Sequence, residues 1–176
     1  MPRHDLTPYL VLPEQHARHL PPGVFAALPP SGVTVFTVAD DASDTAAFSA
    51  RFGFDLADCA NTIVLRYRVG GGDRYAAVVS LGSRRLDVNG AVKMHLGAKK
   101  VSFADREIAT ALTGMEFGGI TAFGLPPDWR VLVDAAVMER NEVVMGAGLR
   151  AAKLLLSPRL VITLPAVEVA ALTLQP

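Results

Sequence analysis

Glycine is concentrated in the segment 114–124, which reads GMEFGGITAFG and is followed by Leu125 and two prolines. Four glycines within eleven residues leave backbone N–H groups that side chains cannot cover. Such amides can form a concave donor site for a carboxylate, a phosphate or a carbonyl oxygen that becomes negative during nucleophilic attack. A purely structural loop is the alternative. No Gly-Lys-Ser/Thr ends the segment, and it does not follow a strand as in dinucleotide-binding folds, so both of those nucleotide motifs are excluded.

Two other side chains could take part in chemistry. Asp134 follows an apolar strand and precedes a predicted helix, so it can either cap that helix or orient a group in a pocket. Cys59 is the only cysteine, which excludes an intrachain disulfide. A nucleophilic thiol needs a neighbouring base, and no histidine is close in sequence, so we interpret Cys59 as a small buried residue.

Charge limits the partners of this chain. Seventeen basic and seventeen acidic residues give a formal net charge of zero, which excludes the strongly basic surface of a non-specific nucleic-acid binder. Contact with phosphate therefore has to be local, at the pairs Arg84-Arg85 and Lys99-Lys100, unless these are only solvated surface. The apolar runs are shorter than the roughly 20 residues of a membrane-spanning helix, and the N-terminus does not resemble a signal peptide. We expect a soluble, cytoplasmic protein.

The elements that position these groups are predicted by hydrophobic periodicity and by turn residues. Residues 62–69 alternate in polarity, residues 74–81 form a second apolar run, and the glycines at 70–72 predict a hairpin between them. Further strands are predicted at 33–38, 101–103, 131–133, 142–145, 150–156 and 167–172, and helices at 45–52, 88–96, 105–112 and after Pro158. Strands and helices alternate irregularly, which favours an α+β fold over a doubly wound parallel sheet.

The first 32 residues differ from the rest. They contain prolines at positions 2, 8, 13, 21, 22, 29 and 30, which leave room only for short helices. We expect residues 1–32 to form a loosely packed, proline-rich lead-in to one domain at 33–176.

Four motifs, in order, resemble those of the YbaK and prolyl-tRNA-synthetase-associated editing family. Residues 113–126 resemble its glycine loop, and residues 131–134 resemble its apolar strand that ends in Asp. The sequence MGAG at 145–148 resembles its G-A-G segment, and Leu156-Ser157-Pro158 resembles its strand-to-helix junction. The resemblance extends over about residues 33–170 and leaves the lead-in outside.

The resemblance implies a mixed, partly closed sheet surrounded by short helices, with a pocket beside the glycine loop. It implies hydrolysis of the ester in a mischarged aminoacyl-tRNA, typically tRNA(Pro), with neither a metal nor a cofactor. The partner would be the aminoacylated 3′ end of tRNA. A homodimer and an association with a synthetase stay open.

The resemblance also assigns roles to individual residues. The catalytic set comprises Asn61, Gly118, Gly119, Ile120 and Asp134. The substrate-binding set comprises Thr45, Gly114, Phe123, Gly124, Met145, Gly146, Ala147 and Gly148.

One position departs from the family pattern. The family places Lys at the start of the first hairpin strand, as in K-T-L-V, whereas this chain has Asn61 there, followed by Thr62-Ile63-Val64. Asn cannot make a charge-assisted hydrogen bond, which is worth roughly 1.5–3 kcal/mol. Two hypotheses follow. The chain is either a free-standing deacylase with a variant pocket or a non-catalytic module that binds an aminoacyl-like or nucleotide-like ligand.

Overall fold

Eight strands form one mixed sheet in the computed structural model, which describes residues 5–174. The α+β class expected from the sequence is confirmed. The strands are β1 Val33–Thr37, β2 Cys59–Val69, β3 Gly72–Leu81, β4 Lys100–Phe103, β5 Arg130–Asp134, β6 Val143–Gly146, β7 Ala152–Leu156 and β8 Val167–Ala170.

The long hairpin of β2 and β3 is the centre of the sheet, whose strand order is β1-β7-β6-β2-β3-β5-β8. The outer edge of β2 has two different partners. Its first two residues, Cys59 and Ala60, pair in parallel with β6, and its residues from Leu65 to Arg68 pair antiparallel with β4. Within the described chain, residues 61–64 have no strand partner on that edge. The sheet is therefore open at this place.

The helices are short and lie outside the sheet. They are α1 His16–His19, α2 Pro22–Ala27, α3 Thr45–Phe52, α4 Lys93–His95, α5 Arg106–Thr113 and α6 Ala135–Met138. A π-helical turn, Val88–Val92, leads into α4, and 3₁₀ turns lie at Thr7–Tyr9, Pro13–Gln15, Asp40–Ala42, Leu56–Asp58 and Pro158–Thr163. No helix within residues 5–174 combines the length and apolarity needed to cross a membrane.

Helix α3 starts and stops where its sequence predicts. The Asp44 side chain accepts a hydrogen bond from the N–H of Ala47 (2.9 Å), and Gly53 ends the helix at φ +68°. Its buried face carries Phe48 and Phe52, whose rings stack at 5.0 Å. With Phe36 of β1 and with Phe54 they form what we call the aromatic cluster, which fixes α3 against β1 and β6.

The described part of the lead-in, residues 5–32, packs into the core. Val11, Leu20 and Val24 belong to the main hydrophobic cluster, and Val24 is fully buried. The N–H of Val11 also donates to the carbonyl of Val35 in β1 (2.9 Å). The expectation of loose packing is therefore wrong, because burial of these apolar side chains outweighs the irregularity that the prolines impose.

The lead-in also meets a glycine of the domain. Gly148 has φ +88°, and a Cβ there would lie 2.7 Å from Pro21 Cγ and 2.8 Å from Val24 Cγ2. Glycine is required at this position both by its backbone conformation and by the close approach of the lead-in.

We expect Gly148→Ala to lower the free energy of unfolding by about 1–3 kcal/mol more than Gly71→Ala, because overpacking is added to backbone strain. Gly71 is a matched control, since it has the same φ of +88° with nothing within 4 Å of the added Cβ. Urea unfolding of the two variants measures the difference. Equal losses of stability would show that the lead-in does not press on this site.

Candidate functional site

A cavity of about 380 Å³ lies where the edge of β2 is open. Its walls come from the start of β2, the end of β6, the beginning of α3, the end of β4, one residue of α5, the glycine-rich segment and one residue of β7. The side chains that matter below are Asp44, Thr45, Phe48, Asn61, Phe103, Phe117 and Lys153. Most of the wall is apolar, so a few polar groups decide how a ligand is oriented.

Asn61 and Thr45 form a hydrogen-bonded pair in the cavity wall. The Thr45 hydroxyl donates to Asn61 Oδ1 (2.8 Å). Thr45 is the first residue of α3, so the Asp44 cap that starts the helix also positions this hydroxyl. Because Oδ1 is occupied, Asn61 presents its Nδ2 group as a donor, and no hydrogen bond among the described residues uses it.

The glycine-rich segment contributes two amides to the cavity. Gly118 and Ile120 line it, and within residues 5–174 no hydrogen bond uses either N–H group. A ligand oxygen placed here would find backbone donors of the kind that stabilise a developing negative charge.

Gly119, predicted to be a third donor, faces away from the cavity. Its N–H donates to the carbonyl of Glu116 (2.9 Å), and its carbonyl accepts from the N–H of Gly148 (2.7 Å). A Cβ on Gly119 would lie 2.6 Å from the carbonyl of Leu149. This glycine is required for close backbone packing, and its predicted catalytic role stays a prediction.

Met145 and Gly146, at the end of β6, line the cavity as predicted for the substrate-binding set. A side chain at position 146 would collide with the carbonyl oxygen of Gly119. Gly146 therefore lets the glycine-rich segment lie directly against β6.

Asp134 lies outside the cavity wall. Its carboxylate accepts from the N–H of Leu172 (2.8 Å) and from the hydroxyl of Thr173 (3.2 Å). It occupies the N-cap position of α6 without making a side-chain capping bond. Both carboxylate oxygens anchor the C-terminal segment, and the predicted role of Asp134 at the ester stays a prediction.

The other predicted substrate-binding residues support the wall from behind. Gly114 ends α5 at φ +67°, and the added Cβ of Gly124 would meet the backbone of Gly23 at 2.6 Å. Phe123 and Ala147 are fully buried in the main cluster. None of these residues, nor Gly148, is part of the cavity wall. Sequence motifs identify the glycine-rich segment but do not show which of its residues face the cavity.

Lys153 of β7 is the polar group that the sequence interpretation missed. It is 6% exposed, and its Nζ donates to the carbonyl of Ser43 (2.7 Å) and lies 6.0 Å from the centre of the Phe48 ring. The available signal was a single lysine in the apolar run 152–156, which reads AKLLL, since a lone charge within an apolar strand is seldom fully buried without a role.

Burial shifts the titration of this amine. Desolvation is the largest cause and lowers the pKa of Lys153 below that of an ordinary lysine. The Cys59 thiol and Asp44 oppose the shift, and Arg150 adds to it. These groups come from β2, from the start of α3 and from the segment before β7.

Exposed aromatic side chains surround the mouth of the cavity. Phe103 is 60% exposed and Phe117 is 45% exposed. The guanidinium of Arg106 lies 5.1 Å from the centre of the Phe117 ring. Exposed rings beside a pocket are suited to stacking with an unpaired base.

A second cavity of about 390 Å³ adjoins the first. Asn61, Ile63 and Phe103 line both cavities, and Arg84 and Arg85 line the second. The pair Lys99-Lys100, which the sequence also indicated as a patch for phosphate, lines neither. The structure thus connects one of the two basic pairs to the site.

The fold and the site define a small α+β domain with a cavity at the split edge of a mixed sheet. The sequence profile of the aminoacyl-tRNA editing domain matches residues 39–164, which is most of the chain. The chain belongs to the aminoacyl-tRNA editing domain family. No curated protein sequence matches it.

Solved structures share the fold. A hypothetical protein, APE2540, is 27% identical with a TM-score of 0.71, and the match covers 80% of this chain and 90% of that one. A protein described as a candidate trans-editing enzyme for prolyl tRNA synthetase is 20% identical with a TM-score of 0.71, over 81% of this chain and 87% of that one.

The lowered pKa of Lys153 predicts a pH-dependent stability. Between that lowered value and the ordinary lysine pKa of about 10.4, the unfolded chain binds more protons than the folded one, so stability rises with pH. We expect the wild type to gain stability relative to Lys153→Met as the pH rises through this window.

Urea unfolding at several pH values measures this difference, with Lys99→Met as the control because Lys99 is exposed. A constant difference between wild type and Lys153→Met across the window would contradict the prediction.

Proposed function

We propose that this protein is a deacylase that hydrolyses the ester of a mischarged aminoacyl-tRNA. The observation that carries the proposal is the apolar cavity at the open edge of β2, which has the Asn61 amide and the N–H groups of Gly118 and Ile120 in its wall. Membership of the editing-domain family supports it.

The chemistry requires few protein groups, because an aminoacyl ester is already activated relative to an amide. Water, positioned by a neighbouring hydroxyl of the substrate's ribose, attacks the carbonyl carbon and gives up a proton. The N–H groups of Gly118 and Ile120 then stabilise the oxyanion, and such donors are each worth about a hundredfold to a thousandfold in rate. The C–O bond to the ribose breaks, and the ribose oxygen leaves with a proton. Asn61 Nδ2 holds the ester or the ribose in position.

The second cavity supports a path for the end of the tRNA. Arg84 and Arg85 can bind backbone phosphates there, and Phe103, which lines both cavities, can stack on the terminal base. Asn61 lies between the two cavities and would therefore be next to the ester that joins nucleotide and amino acid.

We extend the proposal to the tRNA and the setting. The structural neighbour described as a candidate trans-editing enzyme for prolyl tRNA synthetase supports a tRNA(Pro)-type substrate. A cytoplasmic location and contact with a synthetase are part of this proposal.

The neutral Asn61 favours a second candidate function, in which the cavity binds an aminoacyl end without hydrolysing it. Turnover distinguishes the two, because a binding module leaves the ester intact.

We expect Asn61→Asp to lower kcat/KM by about a hundredfold or more, because a carboxylate provides no donor and repels the oxyanion. Release of labelled amino acid from correctly and incorrectly charged tRNAs measures the rate, with exposed Asn141→Asp as the charge-matched control. Loss of activity in both variants, or in neither, would contradict the role given to Asn61. Tight binding without release by the wild type would favour the binding module.

We expect the double variant Arg84→Ala/Arg85→Ala to raise KM for aminoacyl-tRNA and to flatten the dependence of KM on salt, since each phosphate contact contributes to that slope. Hydrolysis of a short 3′-aminoacyl-adenosine should change little. Lys99→Ala/Lys100→Ala removes the same charge outside both cavities and is the control. Similar effects from the two double variants would show that only net charge matters.

A further inference from the structure

We propose that Lys153 selects the amino acid and that the cavity favours aminoacyl groups whose side chain ends in a carboxylate. This inference rests on the proposed function and names its substrate class. It is carried by the position of Lys153 in the sheet, by its unfilled hydrogen-bonding capacity and by the lack of a direct ion pair to it within residues 5–174.

Strand register places Lys153 on the cavity side of the sheet. Cys59, Val144 and Leu155 form one row across β2, β6 and β7, on the face of the aromatic cluster. Gly146, two residues after Val144 on β6, pairs with Lys153, two residues before Leu155 on β7. Because side chains alternate between the two faces of a strand, Gly146 and Lys153 lie on the same face as that row. Asn61 lies two residues after Cys59 on β2 and shares the face too.

On this face of the sheet, Gly146 of β6 is therefore the residue that lies between Asn61 of β2 and Lys153 of β7. Neighbouring strands are about 4.8 Å apart, so the two backbones are separated by about 10 Å. Asn61 lines both cavities, whereas Lys153 lines only the first. With the nucleotide in the second cavity and the ester at Asn61, the amino-acid side chain extends towards Lys153.

The Lys153 ammonium has unused donors at this place. An ammonium has three N–H donors, and among the described residues the Ser43 carbonyl is its one hydrogen-bond acceptor. The ion pairs found within residues 5–174 do not include Lys153. Among the described wall residues Asp44 alone carries a carboxylate, which favours the charged amine through space but makes no ion pair with it.

A buried charge that makes no direct ion pair is costly. A carboxylate from the substrate would accept the remaining N–H donors and also neutralise the charge. A neutral acceptor such as an amide would accept hydrogen bonds from the N–H donors but would not neutralise the charge. An aliphatic side chain would do neither. The expected preference is therefore aspartyl or glutamyl first, asparaginyl next and leucyl last.

The test compares aspartyl, asparaginyl and leucyl esters on one tRNA, charged with an aminoacylating ribozyme, because these three side chains have similar shapes. We expect wild-type kcat/KM for aspartyl to exceed that for leucyl by about tenfold to a hundredfold, the range of a charge-assisted hydrogen bond. In Lys153→Met the ratio should fall to about one or reverse. An unchanged ratio, or an equal loss on all three esters, overturns the proposal, since it would mean that Lys153 only supports the Ser43 turn.

Binding of non-hydrolysable 3′-aminoacylamido-adenosines, measured by calorimetry, separates this proposal from the proposed function. If the wild type hydrolyses no ester but prefers the aspartyl analogue, and Lys153→Met loses that preference, the deacylase proposal fails and the role of Lys153 stands. If no analogue binds, or if both proteins rank the analogues equally, the role of Lys153 is wrong. The unfolding midpoint of Lys153→Met verifies that the variant is folded.

Discussion

The site depends on one interruption of strand pairing. β2 pairs with β6 through its first two residues and with β4 only from Leu65 onward, so the four residues 61–64 of its edge face a cavity instead of a strand. Exposed strand edges are normally covered, because unpaired N–H and C=O groups attract other strands. Here the opening is lined by α3 and by the glycine-rich segment, which leaves room for a ligand rather than for a strand.

The glycines around this opening have two different tasks. Gly118 contributes an amide to the cavity, whereas Gly119, Gly146 and Gly148 let three backbone segments approach more closely than any side chain would allow. The hydrogen bond from Gly148 N–H to the Gly119 carbonyl joins these segments (2.7 Å). A glycine in such a motif can therefore be needed for close backbone packing rather than for chemistry. The contacts of each glycine show which of the two roles it has.

Positive charge has an unusual distribution in this site. The position where the family has a lysine carries neutral Asn61, held by Thr45, and a lysine appears two strands away in the interior. A cation beside the ester and a cation beside the amino-acid side chain would recognise different parts of a substrate. The arginines of the second cavity remain at the outer side, where phosphates are expected. Under the proposed function, the nucleotide and the amino acid would therefore be recognised by different cationic groups.

The sequence by itself determined the local elements and the family. Alternation along β2, the Asp44 cap and the glycine that ends α3 act over a few residues, so their effects are readable from neighbouring positions. Only the tertiary structure decided that Asp134 holds the C-terminal segment, that Val24 enters the core and that Lys153 faces the cavity. The partners of these residues lie far away in sequence: Lys153 binds the carbonyl of Ser43, 110 positions earlier. Strand register and burial set such contacts, and both arise from the packing of the whole chain.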